Sequence, residues 1–138
     1  MTSASQISER NSQDGWVIRY EGTVVAQALG DAAGFLVEGL APELCRHYAE
    51  VELGGPTPPL RRRGPFGFGQ YTDDTQLLRE LLLSYVACGT FVAAEAALRI
   101  ARLFGEGRVV GGGRATRDAA LRLLAGVPYT EAGTPAPQ

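Results

Sequence analysis

Two adjacent carboxylates between two hydroxyls, Thr72-Asp73-Asp74-Thr75, stand where a Pro/Gly/Arg-rich loop meets an apolar helical pattern. Such a set offers only oxygen donors, which suit Mg²⁺, Mn²⁺ or Ca²⁺ rather than zinc. Neighbouring carboxylates repel each other, and a bound cation relieves that cost. The same residues also make an ordinary helix start, because threonine is a good N-cap and acids favour the positive helix end. The two readings are compatible: a ligand on a helix start is held rigidly.

A second group of acids lies upstream, at Gly30-Asp31-Ala32-Ala33-Gly34 and at Glu38. As structure, Asp31 caps or bonds a local amide, and Glu38 is a solvated loop acid. As chemistry, a carboxylate after a glycine-rich helix end is a candidate general base or substrate-orienting group. Arg61-Arg62-Arg63 reads as a solvated turn, with attraction of a phosphate-bearing substrate as the alternative. His47 reads as a surface or loop residue and Cys88 as core. Neither has the partner spacing of a nucleophilic triad.

The elements that must hold these residues are helices. Order is expected to begin near Gly15 or Trp16, with Val17, Ile18, Val24, Val25, Ala28 and Leu29 loosely at helical spacing. Gly22, Ala26, Gly30 and Gly34 share one face, open to a close helix or to a ligand. This helix ends before Glu38-Gly39. Leu40 to Gln70 has no sustained period beyond a short helix over Pro42 to Tyr48, and a connection of that length is commonly functional or disordered. A helix follows over Asp73 to Ala87, with Leu77, Leu78, Leu81, Leu82 and Tyr85 as its apolar stripe, and Gly89 stops it. Thr90 is expected to cap a helix from Phe91 to Phe104, with Ala94, Ala97, Leu98 and Ala101 inward. After the turn Gly111-Gly112-Gly113, Thr116 is expected to cap Arg117 to Ala125, with Ala120, Leu121 and Leu124 on one side. Gly126 and Pro128 end that helix, and no period follows from Thr130 to Gln138. The expected class is all-α.

Composition narrows the function. The chain has 138 residues, enough for one domain, and 45% are hydrophobic. A net charge of −2 leaves no basic footprint for nucleic acid. No run of about 20 apolar residues exists to span a membrane. Residues 1–14 read as a polar, disordered lead-in with no apolar signal region, and residues 15–138 as the domain. Cys45 and Cys88 fit reduced thiols in a cytoplasmic protein.

Taken together, G-D-A-x-G at Gly30 to Gly34, the acid Glu38, and Y-T-D-D-T-Q at Tyr71 to Gln76 resemble the ADP-ribosylglycohydrolase family, which includes the dinitrogenase reductase-activating glycohydrolases. The likeness runs from about Trp16 to Gln138. It implies the N-terminal part of an orthogonally packed, all-α, multi-helix fold whose cleft holds two Mg²⁺ or Mn²⁺ ions. The implied reaction is hydrolysis of the bond between ADP-ribose and an acceptor on a modified protein or small molecule. By position, Thr72, Asp73 and Asp74 are implied metal ligands, and Glu38 is implied to be the catalytic residue beside the reacting ribose, as a base or as a gate over the metals. Gly111, Gly112 and Gly113 are implied to offer amides to the pyrophosphate. The family's later A-G-N-G-type loop and second D-x-D-[ST]-type ligand set have no counterpart in these residues. The expectation is therefore an N-terminal half, completed by another chain or by self-association. The alternative is an inactive fragment or an ADP-ribose-binding module.

Overall fold

The computed structural model describes residues 4–134, with side chains from residue 16 onward. Among the described residues there are six α-helices and no strand: α1 (Ala4–Gly34), α2 (Pro42–His47), α3 (Asp73–Cys88), α4 (Ala93–Gly105), α5 (Arg114–Leu124) and α6 (Tyr129–Ala132). A 3₁₀ turn over Phe35–Val37 continues α1, and a π turn over Tyr48–Leu53 continues α2. Of the expected lead-in, residues 1–3 lie outside the described residues, and from Ala4 the backbone is placed at the start of α1. Residues 135–138 of the expected tail also lie outside them.

α3 follows the pattern that predicted it. Thr72 caps it, and Gly89 ends it in the left-handed conformation at φ 68°, which costs glycine no Cβ clash. The next two helices start differently from expectation. α4 begins after Val92 and α5 after Gly113, neither with a side-chain cap, so Thr90 and Thr116 are not the caps. The short α6 occupies the start of a stretch without apolar period.

α4 packs most extensively on α5 and next on α3. Their contact buries Ala96, Ala101, Leu103 and Ala120, with Ala132 of α6 beside them. Small residues allow the approach: a Cβ on Gly105 would stand 2.8 Å from Leu124 Cδ1. Ala101 turns inward as expected, but Ala96 is buried where Ala94 was the expected neighbour, and Leu121 is exposed. A second cluster forms around the turn after α1, where Phe35, Leu36, Val37 and Tyr48 are buried and Cys45, Phe66 and Val110 pack on them. The Tyr48 hydroxyl donates to the Ala33 carbonyl at 2.8 Å, tying the π turn to the end of α1.

The stripe on α3 is only half covered. Leu77, Leu78, Leu81 and Leu82 are half-buried, Tyr85 is exposed, and the fully buried positions are Glu80 and Ser84. Val24 of α1 and Leu78, Leu82, Leu83 and Val86 of α3 line an open apolar groove. Cys88, expected in the core, is exposed at the helix end.

Candidate functional site

The site is built on the first turn of α3, which lacks intrahelical partners for its first four amides. Each finds another acceptor. Asp31 Oδ2 accepts from the Thr72 amide at 2.8 Å and the Thr75 amide at 3.2 Å. The Val110 carbonyl accepts from the Asp73 amide at 2.7 Å. Thr72 Oγ1 accepts from the Asp74 amide at 3.4 Å, the longest of the set. With its amides used, this helix start presents carboxylates, not donors for an anion.

Asp31 also accepts from both hydroxyls, from Thr72 Oγ1 at 2.7 Å and Thr75 Oγ1 at 2.6 Å. Burial raises its carboxyl, but the donors on Thr75 and Thr72 together outweigh burial and hold it below the usual value. Gln27, one turn earlier on α1, donates to the Asp74 carbonyl at 3.3 Å. The end of α1 thus caps α3 from a distance, where the local sequence suggested a cap for Asp31's own neighbours.

Asp73 behaves oppositely. Burial raises its carboxyl above the usual value, and the negative charges of Asp74 and Glu38 add to that, against donation from its own amide and that of Gly113. A positive charge at this point would offset the repulsion.

The glycine turn closes over the same junction. Gly111 has φ 84°, and a Cβ there would lie 3.1 Å from Asp73 Oδ1 and 3.3 Å from Thr72 Cβ. Gln76 holds the turn from below: its Nε2 donates to the Arg108 carbonyl and its Oε1 accepts from the Val110 amide, both at 2.9 Å. Sequence reading gave Gln76 no role. An amide side chain one turn into a helix is a weak signal unless its partners' position is known.

Glu38 lies beyond the 3₁₀ turn, largely exposed. Arg63 Nη1 donates to its carboxylate at 2.9 Å and to the Phe35 carbonyl at 2.7 Å. The Arg63 guanidinium lies 4.9 Å from the Phe35 ring centroid, and Phe35 meets Phe66 edge-on at 5.9 Å. Arg61 pairs with Glu52 at 2.6 Å, and Arg62 donates to the Pro65 carbonyl. Arg61 and Arg63 therefore tie the loop to the π turn and to the end of α1, and Arg62 braces the loop itself. His47 is exposed at the end of α2.

A cleft of about 350 Å³ joins these parts, with Gly30, Asp31, Gly34, Glu38, Thr72 and Asp74 on its wall. Apart from its chain neighbours and the backbone of α1 itself, a Cβ placed on Gly22, Gly30 or Gly34 would have no described atom within 4 Å. The small face of α1 thus borders open space and, at Gly30 and Gly34, this cleft, and not a packed helix. Among the described residues, no group of three or more His, Cys, Asp or Glu side chains is placed to hold a metal. Thr72 Oγ1 and the carboxylates of Asp73 and Asp74 fit a hard cation in kind. They are fewer than the six or so oxygens such ions take.

A family model described as ADP-ribosylglycohydrolase matches residues 12–138. An uncharacterized protein of Archaeoglobus fulgidus is 33% identical over 116 residues, covering 83% of this chain and 37% of the relative. The chain thus spans well under half of that relative's length. No solved structure matches it.

Proposed function

The chain belongs to the ADP-ribosylglycohydrolase family, and from that premise we propose that it takes part in metal-dependent hydrolysis of ADP-ribosyl linkages. The observation that carries the proposal is convergence. Glu38 lies far from Thr72 and Asp74 in the chain but lines one cleft with them, and Gly111 lies against Asp73 and Thr72. Thr72, Asp73 and Asp74 would hold Mg²⁺ or Mn²⁺. A cation held there would supply Lewis-acid activation of water and a fixed point for the ribose oxygens. The remaining oxygens would come from water, from self-association or from a complementing chain.

In this reading Glu38 takes a proton from the attacking water. The water oxygen bonds to the anomeric carbon, and the acceptor leaves with the bonding pair and collects a proton. Arg63 holds the Glu38 carboxylate until substrate arrives. The backbone of Gly111, Gly112 and Gly113 faces the pyrophosphate. The test is release of ADP-ribose from an ADP-ribosylated protein in the presence of Mn²⁺ or Mg²⁺. Release that needs the cation and is lost in Glu38→Gln supports the proposal. No release from the chain alone, self-associated or mixed with a complementing chain, overturns it.

A second reading is favoured by the short donor set: a module that binds ADP-ribose without turning it over. Calorimetry with ADP-ribose separates the two, since binding without release of product supports the module.

A further inference from the structure

We infer that Asp31 is the positioning residue of the cation-binding junction: by accepting both threonine protons it fixes Thr72 Oγ1 as an acceptor beside Asp73 and Asp74. The cation part of this inference rests on the function proposed above.

Asp31 precedes Thr72 by 41 residues, yet its carboxylate accepts four bonds from Thr72 and Thr75. A carboxylate offers roughly four lone-pair sites. Three of the bonds fall on Oδ2, which they saturate, and one on Oδ1, so the carboxylate is held in one orientation by both threonines. A threonine hydroxyl has a single proton. Donated to Asp31 Oδ1 at 2.7 Å, that proton cannot point at a cation; of the oxygen's two lone pairs one takes the Asp74 amide at 3.4 Å and one remains. Thr72 is buried, so bulk water does not compete freely for that hydroxyl. Gln27, four residues before Asp31 and on the same face of α1, holds the Asp74 carbonyl. Two side chains of one rigid helix thus fix the orientation of the α3 start. The arrangement is the one by which groups behind a metal ligand orient it and raise its affinity.

Asp31→Asn separates positioning from structural support. Its remaining oxygen can serve the Oδ2 place, with three of the four bonds. The new NH₂ then faces Thr72 Oγ1, which must accept and turn its own proton away, toward the cation. Binding of Mn²⁺ alone, followed by the loss of the free-ion paramagnetic resonance signal, should weaken about 10- to 100-fold. Thr75→Val, which leaves the Asp31–Thr72 pair intact, should change Mn²⁺ affinity by no more than about threefold. Equal Mn²⁺ affinity in wild type and Asp31→Asn overturns the inference, as does an equal loss in Thr75→Val.

A wild type that binds no Mn²⁺ overturns the cation reading itself. The anchoring role of Asp31 is then read without metal, from amide exchange of Thr72 and Thr75 in Asp31→Ala. Exchange about tenfold faster or more at both amides supports the anchor, and unchanged exchange removes it.

Discussion

Replacing Asp31 with alanine removes one acceptor that serves four donors. Loss of a single N-cap acceptor costs about 0.5–2 kcal/mol, and a hydrogen bond to a charged group contributes about 1.5–3 kcal/mol. The four bonds do not add, because they share one carboxylate and the cleft lets water reach part of the site. A total near 3 kcal/mol is expected, about 10 °C in melting temperature for a domain of this size. Urea unfolding followed by circular dichroism measures it. The pH dependence carries a second, independent sign. Despite burial, the donors on Thr75 and Thr72 lower the Asp31 carboxyl in the folded chain from 3.8. A lowered carboxylate stabilises fully above its unfolded value and loses that contribution as pH falls through the folded value. The gap between wild type and Asp31→Ala is therefore widest near neutrality and shrinks below 3.8. A gap under about 1 kcal/mol at pH 7, or one that does not narrow in acid, would refute the capping geometry.

Other substitutions probe neighbouring contacts. Gly111→Ala puts a Cβ 3.1 Å from Asp73 Oδ1 at φ 84°, so stability should fall by about 1–3 kcal/mol and Mn²⁺ affinity with it. Gln76→Glu keeps an acceptor for the Val110 amide but turns a second acceptor on the Arg108 carbonyl; it should unfold about 1–3 kcal/mol more easily than wild type at pH 7, with part of the loss recovered when acid protonates the new side chain. Asp73→Asn removes a carboxyl that burial and the Asp74 charge hold above 3.8, so its ionised form works against folding at neutral pH. In chelator at pH 7 this variant should melt slightly above wild type, and the advantage should vanish as pH falls through the raised value. Added Mn²⁺ should reverse the order, by stabilising only the wild type.

The helical class and the α3 start were legible because their signals are local. A capping threonine, two acids and a leucine stripe sit within one window, and Gly89 ends it. The starts of α4 and α5 were not legible at Thr90 and Thr116, because tertiary packing sets them with no side-chain cap. Asp31 was marked as chemically interesting for its sequence neighbours, but its partners lie more than 40 residues away. No spacing rule connects the two. Arg63 was hidden for a similar reason: three consecutive arginines look solvated until the loop folds back and places the third on Phe35 and Glu38. Gln76 needed the glycine turn in place before its bidentate hold on Arg108 and Val110 had meaning. Cys88 was misjudged because its helix turns that position outward.

The most direct measurement is a calorimetric titration of ADP-ribose into the chain, first with Mg²⁺ and then with chelator, repeated on Asp73→Asn/Asp74→Asn. The proposed site predicts binding that requires Mg²⁺ and disappears in the double variant. Binding of equal strength with chelator, or in the double variant, would contradict a cation held by Thr72, Asp73 and Asp74, and no binding at all would contradict the ADP-ribose site.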